Sequence, residues 1–328
     1  MRVAERLDEL YAIGGGSGAN RPGYSPAEDE AHRLAAEWMR GAGLEPIADG
    51  AGNLVGRRGD PLVWTGSHLD SVPNGGKFDG ALGVVAAIEA ASRLPDAPLA
   101  VVAFRAEETG PMGSKGLERL PPAFLELHVE QGPVLERLGE PLGVVTAVAA
   151  QARGHVVFEG RADHAGTTPM DGRDDALVKA AEFVLRVREC AREPAVATVG
   201  AVEVEPNAGN VVPARVAVSV DARAPDAAAL DELIEAIGFE PTWRLDPAPM
   251  GGPPYEALSE LLPEAPRLVS GAGHDAMVLA AAGVPTAMLF VRSLNGGASH
   301  SPEESSSDDD IALAVDVLTE ALRRLSSP

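Results

Sequence analysis

The stretch Pro61-Leu-Val-Trp-Thr-Gly-Ser-His-Leu-Asp70 runs from a short apolar segment, through a glycine, into a polar pair. An apolar run of this length that ends at glycine is typical of a buried strand. A predicted helix rich in Ala, Val and Ile follows at residues 81–94, and Leu99-Ala-Val-Val-Ala-Phe104 is a second, fully apolar strand. The order strand, helix, strand predicts a sheet with parallel strands covered by helices, which is an α/β fold.

The middle of the chain has a different pattern. From about residue 150 to 246 the predicted order is strand–helix–strand–strand–helix–strand, which is that of a ferredoxin-like unit. After residue 250 the first pattern returns, with a helix, an apolar strand and a final amphipathic helix. The sequence therefore predicts a discontinuous α/β domain, residues 1–148 and 248–328, into which an α+β domain at residues 149–247 is inserted.

Composition excludes several classes of protein. The 328-residue chain has a formal net charge of −22 and one cysteine, Cys190. Binding to nucleic acid or to anionic membranes relies on clustered Lys and Arg, so this acidity argues against both. A single cysteine excludes an internal disulfide framework. The charged N-terminus lacks a leader-like apolar region, and no apolar stretch reaches the roughly 18 residues of a membrane span, so we expect a soluble cytoplasmic protein.

Polar side chains gather where the predicted strands end. His68 and Asp70 follow the first strand, and the period-2 alternation of extended chain puts them on one side. Asp70 could therefore orient the imidazole of His68 by accepting its second N–H, an arrangement frequent around bound metals. Asp79 follows at the start of the next predicted helix, where a carboxylate could bridge two cations. Ligands of open α/β sheets bind just beyond the carboxyl ends of strands, which is where these residues fall.

Three further segments complete a candidate metal site. Glu107 and Glu108 follow the second strand, and such a pair can supply one carboxylate to bind a metal and one to deprotonate water. The candidate ligands are His68, Asp79, Glu108, His128 and His300. Three imidazoles and two carboxylates suit two divalent ions per subunit, with a position open for water. Zinc or manganese is expected, with cobalt or nickel as alternatives. Of the other histidines, His32 is expected on the surface of a helix.

Five motifs resemble the M20-type amidohydrolases, and within them the branch of N-carbamoyl-L-amino acid hydrolases, allantoate amidohydrolases and β-ureidopropionases. They are Ser67-His-Leu-Asp-Ser-Val-Pro-Asn-Gly-Gly-Lys-Phe-Asp-Gly80, Leu127-His-Val-Glu-Gln-Gly-Pro-Val-Leu-Glu136, His164-Ala-Gly-Thr-Thr-Pro-Met170, Gly271-Ala-Gly-His-Asp-Ala276 and Ser299-His-Ser-Pro-Glu303. The resemblance covers nearly the whole chain. It implies a catalytic domain of the phosphorylase/hydrolase-like (zinc-exopeptidase) type. It also implies that the inserted domain is a lid that closes over the substrate and carries a homodimer interface.

The resemblance also implies roles for single residues. Glu107 would be the general base, with Asp70 behind His68, and His164 of either subunit would polarise the scissile carbonyl. The substrate, a small molecule with a carboxylate and a carbamoyl or ureido group, would contact Gln131, Asn210, Arg223, Gly273 and His274. Plainer alternatives exist: Gln131 and Asn210 could satisfy turn backbone, and Arg223 could form a surface ion pair with Asp221 or Asp226. Asp275 and Glu303 are interpreted as capping or orienting residues.

The chain also departs from the family pattern. Only 19 residues separate Glu108 from His128, where the family has a longer helical segment, and Phe239–Pro266 looks abbreviated as well. Ala106 stands where this branch usually has Asn. An M20-type aminopeptidase or amino-acid deacylase is an alternative function, and a catalytically silent, metal-dependent ligand-binding protein is another. The intact Glu107 argues against the second, because a binding protein needs no base.

Overall fold

A computed structural model describes residues 2–326. The chain divides into two compact units, one made of Met1–Val148 and Ala248–Pro328 and the other of Ala149–Pro247. The first unit is therefore discontinuous in sequence, and the second is one continuous segment.

The first unit begins with α1 (Arg2–Ala12), α2 (Pro26–Gly41), β1 (Glu45–Ala48), β2 (Leu54–Arg58), β3 (Trp64–His68), α3 (Ala81–Arg93), β4 (Leu99–Phe104), α4 (Met112–Lys115), β5 (Phe124–Val129), α5 (Val134–Leu138) and β6 (Leu142–Val148). The second unit contains β7 (Ala150–Glu159), β8 (Asp163–His164), a 3-10 turn (Met170–Gly172), α6 (Ala176–Cys190), β9 (Val196–Glu205), β10 (Val211–Val212), β11 (Arg215–Ala224), α7 (Ala227–Ile237) and β12 (Trp243–Leu245). The first unit resumes with β13 (Ala248–Pro249), α8 (Pro253–Leu261), β14 (Arg267–Ser270), α9 (Asp275–Ala281), β15 (Thr286–Val291) and α10 (Asp308–Leu325).

The first unit is built on a large mixed sheet. Its strand order is β1-β2-β4-β3-β5-β15-β6-β13, with β14 also paired to β6. The four central strands β4, β3, β5 and β15 are parallel, as the sequence predicted, whereas β2 and β6 run antiparallel to their inner neighbours. The prediction of parallel strands therefore holds for the centre of the sheet, and the flanks make the fold a mixed α/β one.

Apolar burial explains this arrangement. Every residue of β3, β4, β5 and β15 is buried, which is typical of strands covered on both faces. Helix α3 is also almost wholly buried, with Leu82, Val85 and Ile88 in the core between the sheet and the neighbouring helices. Among the described residues, no helix is long and apolar enough to cross a membrane.

The second unit is a four-stranded antiparallel sheet in the order β12-β7-β11-β9. In β11 every second side chain is buried, and these side chains pack against α6 and α7. Asp226 caps α7 by accepting a hydrogen bond from the amide of Ala229 at 2.9 Å. A separate two-stranded ribbon joins β8 to β10.

One position predicted from sequence is wrong. His32 was expected on a helix surface, but it lies on the buried face of α2. Burial lowers the pKa of His32 to about 3, and the nearby positive charge of Arg105 contributes to that lowering. The imidazole is therefore neutral, although Oε1 of Glu28 lies 3.9 Å from its Nε2, because burial disfavours the charged form.

Two valines that face each other across β11 and β9 test the packing of the second unit. Val218 is 1% exposed, whereas its cross-strand partner Val202 is 50% exposed. Val218→Ala should lower the free energy of unfolding by about 2 kcal/mol, because it removes two buried methyl groups and leaves a cavity. Val202→Ala, the matched control, should cost well under half of that. Urea unfolding followed by circular dichroism measures both, and equal losses would contradict the burial seen here.

Candidate metal centre and active site

The candidate residues of the first unit lie at one edge of its sheet. His68 is the last residue of β3 and pairs in register with Phe104, the last residue of β4. His128 lies near the end of β5 and pairs with Phe290 of β15. Because these strands are parallel, the loops after them start at the same edge. Those loops carry the remaining acids and His300.

Asp79 lies at the centre of the cluster, and its two carboxylate oxygens face different groups. Oδ1 lies 3.5 Å from Nε2 of His68 and 3.3 Å from Nε2 of His128. Oδ2 lies 3.3 Å from Nε2 of His300, whose Nε2 is also 3.5 Å from Oε2 of Glu108. The five residues thus form two groups of three possible ligands, each with its ligand atoms within 4.8 Å of one another, and Asp79 belongs to both.

The donors in these groups fit divalent cations. Nε2 of His128 and Oε1 of Glu108 are buried and have no hydrogen-bond partner. Buried polar atoms are normally paired, and an unpaired one costs about 1–3 kcal/mol. A cation in each group would bring a partner to these two residues, one at His128 and one at Glu108. Imidazole nitrogen and carboxylate oxygen are the usual ligands of zinc, and they also bind manganese, cobalt and nickel.

Asp70 orients both sides of the cluster. Its Oδ1 lies 3.3 Å from Nδ1 of His68, which directs Nε2 of that ring toward Asp79. The same carboxylate accepts the backbone amides of Glu107 at 3.0 Å and Glu108 at 3.1 Å. One buried acid therefore fixes a candidate ligand and the adjacent pair of glutamates together.

Burial and neighbouring charges shift the pKa values of the cluster. Burial raises the pKa of Glu107 well above its usual value, and the charges of Asp275 and Glu108 add to this against the opposing effect of His68. Burial also tends to raise the pKa of Asp79, but the close imidazoles of His128, His300 and His68 lower it well below its usual value. So many carboxylates at one place repel one another, which bound cations would relieve.

Three site residues have a left-handed backbone, which is unfavourable for residues other than glycine. Their φ angles are +50° at Ala106, +56° at Gln131 and +54° at His300. Such strain concentrates at functional sites, where the surrounding structure holds it in place. At Gln131 it accompanies a side chain whose Nε2 donates to Oδ2 of Asp79 at 2.9 Å. In this structure Gln131 therefore contacts a candidate ligand.

Sequence reasoning missed two buried glutamates. Glu126 in β5 accepts hydrogen bonds from Oγ of Ser67 at 2.6 Å and from the amide of Ala276 at 3.0 Å. An acid within the otherwise apolar run before His128 was the available signal. Glu304 accepts the amides of Phe78 at 2.6 Å and Asp79 at 3.1 Å. The side chain of Glu303, predicted to cap or orient, is exposed, and its neighbour Glu304 has that role instead.

His274 is buried beside the cluster, and with Glu126 and His128 it forms a third group of possible ligands. Its ring is buried, stands edge-on to His128 with the ring centroids 4.6 Å apart, and shares a hydrogen bond between Nε2 and Oγ of Ser270 at 2.7 Å. His274 also occupies the N-cap position of α9, directly after Gly273, but its side chain makes no capping hydrogen bond. Burial lowers the pKa of His274 well below its usual value, which keeps the ring neutral beside His128.

The second unit brings two other candidates together. His164 of β8 pairs with Val211 of β10, and the amide of Ala165 donates to the carbonyl of Asn210 at 2.9 Å. Nδ1 of His164 accepts the amides of Gly166 at 3.0 Å and Thr167 at 3.2 Å. This leaves Nε2 of the exposed ring as the protonated nitrogen of neutral His164.

Arg223 lies on β11 of the second unit, and its Nε donates to Oδ1 of Asp221 at 2.9 Å. Arg153 of β7 donates to the other oxygen of the same carboxylate at 2.8 Å. The ion pair foreseen as the plainer alternative for Arg223 is therefore present.

Known proteins resemble this chain over most of its length. Residues 64–324 match peptidase family M20/M25/M40. The chain is 34% identical to the N-carbamoyl-L-amino-acid amidohydrolase of Pseudomonas sp. (strain NS671), with 98% of this chain and 97% of that protein covered. It is 33% identical to the allantoate amidohydrolase of Escherichia coli (strain K12), with 99% and 97% covered. A hydantoinase/carbamoylase family amidase from Burkholderia multivorans has a similar structure, with a TM-score of 0.87, 30% identity, and 100% and 98% covered.

The comparison also shows that this chain is shorter than these relatives. The alignment with the Pseudomonas protein runs over 403 positions, whereas this chain has 328 residues. The difference means that segments present in that relative are absent here. Between Glu108 and His128 the structure has only the four-residue helix α4 and strand β5.

Metal addition tests the ligand groups. Zinc or manganese added to metal-stripped protein should raise the thermal midpoint, because ligands that bind the folded state stabilise it. At a hundredfold excess over Kd the gain is about 2.7 kcal/mol. Asp79→Ala should abolish the rise, since both groups share that carboxylate. Asp246→Ala, at an exposed carboxylate of the second unit, is the control and should leave it intact. A full rise in Asp79→Ala would place the ions elsewhere.

Proposed function

The chain belongs to peptidase family M20/M25/M40, and from this premise we propose that it is an amidohydrolase that cleaves the carbamoyl or ureido C–N bond of a small linear acid. N-carbamoyl-L-amino acids and allantoate are the substrate classes, because relatives at 33–34% identity are named for acting on them. The observation that carries the proposal is the carboxylate of Asp79 shared by two ligand groups, with Glu107 beside them.

The ligand groups are proposed to hold two divalent ions per subunit. His68, Asp79 and His128 would hold one, and Asp79, Glu108 and His300 the other. When bound, the ions supply Lewis-acid polarisation of the substrate carbonyl and a lowered pKa for the attacking water. Zinc and manganese are the proposed metals, since both accept imidazole and carboxylate ligands.

Glu107 is proposed to be the general base, which transfers a proton from the attacking water to the leaving nitrogen. Its Oε2 lies 3.9 Å from Nε2 of His68, so the carboxylate faces the site without filling a ligand position of its own. It would take a proton from the attacking water and then give it to the leaving nitrogen. With a carbamoyl amino acid the products are ammonia, carbon dioxide and the free amino acid.

The second unit is proposed to be a ferredoxin-like lid that closes over the substrate and forms a homodimer interface. Its order β7-α6-β9-β11-α7-β12 supports the assignment. His164 would donate from Nε2 to the developing oxyanion, and its hydrogen-bonded Nδ1 supports that tautomer. Asn210, Gln131 and the backbone at Gly273 and His274 would contact the polar groups of the substrate.

Arg223 is proposed to bind the substrate carboxylate. A guanidinium matches a carboxylate with two parallel hydrogen bonds. To bind the substrate, Arg223 would give up part of its hydrogen bonding to Asp221. The carboxylate of Asp221 would keep its hydrogen bond from Arg153.

An aminopeptidase or amino-acid deacylase is the second candidate function. The same ligands and the same base would serve the hydrolysis of a peptide or acyl amide, and the family is named for peptidases. The amidohydrolase names of the relatives favour the first function. A silent binding protein is disfavoured by Glu107, because a protein that only binds its ligand needs no general base.

The first experiment measures ammonia release from N-carbamoyl amino acids, allantoate and β-ureidopropionate, with metal-stripped protein and added zinc or manganese. Metal-dependent ammonia from one compound supports the proposal and identifies the substrate. Release of amino acids from dipeptides or N-acyl amino acids, without ammonia from the panel, would establish the second candidate.

Glu107→Gln should lower turnover by about 10²–10⁴-fold, the usual contribution of a general acid–base group. Bound metal should be retained, because Glu107 is outside both ligand groups. Glu303→Gln, on the exposed loop that carries His300, is the matched control and should keep full turnover. Steady-state kinetics and metal analysis measure both, and unchanged turnover in Glu107→Gln would remove that residue from the mechanism.

Arg223→Lys should raise KM about tenfold and largely spare kcat, because hydrogen bonds to a charged group are worth about 1.5–3 kcal/mol. Arg153→Lys changes the other guanidinium on Asp221 and should leave KM unchanged. If both substitutions have the same effect, the role of Arg223 is to maintain the ion pair rather than to bind substrate.

A further inference from the structure

The turn that presents Glu107 is unfavourable by itself. Strand β4 ends at Phe104, and two residues later Ala106 has a left-handed φ of +50°. Alanine gains nothing from that conformation, and its side chain is too short to hydrogen-bond to the local backbone. Something outside the turn must therefore hold it.

Side chains from three separate segments bind four successive backbone amides of this turn. Asn53 accepts the amide of Arg105 at 3.1 Å, and Glu28 accepts that of Ala106 at 2.9 Å. Asp70 accepts the amides of Glu107 and Glu108 at 3.0 and 3.1 Å. The amide at the strained residue is thus assigned to Glu28, which lies 78 residues earlier in the chain.

Glu28 is itself fixed in place. It lies in the first turn of α2, with its side chain completely buried and its own amide held by the capping residue Ser25 at 3.3 Å. Its second oxygen, Oε2, accepts the amide of Tyr24 and lies 3.1 Å from Nε of Arg105. A buried carboxylate with amides and a guanidinium around it is compensated and held in one orientation.

The segment before α2 also fits closely against the turn. A side chain added at Gly23 would place its Cβ 2.5 Å from Cβ of Ala106. The backbone of the segment before α2 therefore lies directly against the turn at this point. The carboxylate of Glu28 adds a charge-assisted hydrogen bond from the amide of Ala106 beside this contact.

We propose that Glu28 is a positioning residue for Glu107, which sets the general base by holding the amide of Ala106 from the first turn of α2. The proposal rests on the role of Glu107 in the proposed function. Glu28 does not touch the ligand groups, so its effect on the reaction passes through the backbone from Ala106 to Glu107.

Three substitutions of Glu28 separate the effect of its side-chain length from the effect of its charge. Glu28→Asp keeps the charge beside Arg105 but withdraws the carboxylate by about 1.5 Å, one carbon–carbon bond. Glu28→Gln keeps the reach and one oxygen that can accept the amide of Ala106, but it loses the charge and the second acceptor, which holds the amide of Tyr24. Glu28→Ala loses both. Glu37→Ala is the control, because that exposed carboxylate on the same helix pairs only with the exposed Arg33 among the ion pairs described.

We expect Glu28→Asp and Glu28→Ala to lower kcat by about 10–100-fold, since a displacement near 1 Å can cost that much. KM and bound metal should stay within about twofold of the wild type, which is the signature of a loss confined to the reacting step. Glu28→Gln should restore kcat to within about threefold. Glu37→Ala should leave all these values unchanged.

The opposite order, with Glu28→Asp active and Glu28→Gln impaired, would show that only the ion pair with Arg105 matters and would overturn the proposal. Unchanged kcat in all three variants would overturn it as well. If Glu28→Ala does not fold, the Asp and Gln variants carry the comparison.

A second measurement does not depend on activity. Hydrogen–deuterium exchange of peptides spanning residues 103–110 should be faster in Glu28→Asp than in the wild type and Glu28→Gln, because the amide of Ala106 loses its acceptor. Equal hydrogen–deuterium exchange of this segment in Glu28→Asp and the wild type would overturn the proposal, even if no substrate is turned over. Lack of ammonia release by the wild type, with the expected exchange pattern, would count against the proposed function alone.

Discussion

The shared carboxylate of Asp79 is the interaction on which the rest of the site depends. Because each of its oxygens faces a different set of imidazoles, both ligand groups move if this side chain moves. The structure surrounds it accordingly: Glu304 holds its backbone amide, and Gln131 donates to its Oδ2. The residue after it must be glycine, since a Cβ at Gly80 would lie 2.4 Å from the ring of His68. The start of helix α3 therefore lies directly against a candidate ligand.

Most of the buried acids near the site bind backbone rather than contribute to a ligand group. Each accepts amides from a loop or helix start, and a charged acceptor makes such hydrogen bonds shorter and stronger than neutral ones. The loops at the edge of the sheet are therefore fixed by acids from other segments, because they have little regular structure of their own. The acids with this role are Glu28, Asp70 and Glu304, whereas Glu126 both accepts an amide and lies in a group of possible ligands with His128 and His274.

The sequence was informative wherever the signal was local. Apolar runs of strand length identified β3, β4 and β15, and polar residues directly after such runs identified His68 and the glutamate pair. It failed where a role depends on distant partners: Glu28 reads as an ordinary early acid of a helix, and Glu304 as one of two adjacent acids. His32 was misplaced because its helix carries polar residues on its buried face, which periodicity alone does not reveal. Hydrogen bonds across 78 or 225 residues leave no local pattern.

The strand order has a consequence for how the chain is completed during synthesis. Strand β15 lies between β5 and β6, yet it is made only after the whole of the second unit. A growing ribosomal product thus has His68, Asp79, Glu108 and His128 long before it has His300, and its central sheet has a gap until residue 291 emerges. Domains tend to fold from the N-terminus as they are made. In this protein the inserted unit is one continuous segment, whereas the first unit is assembled from two distant pieces of chain and cannot complete its sheet until the second piece has been made.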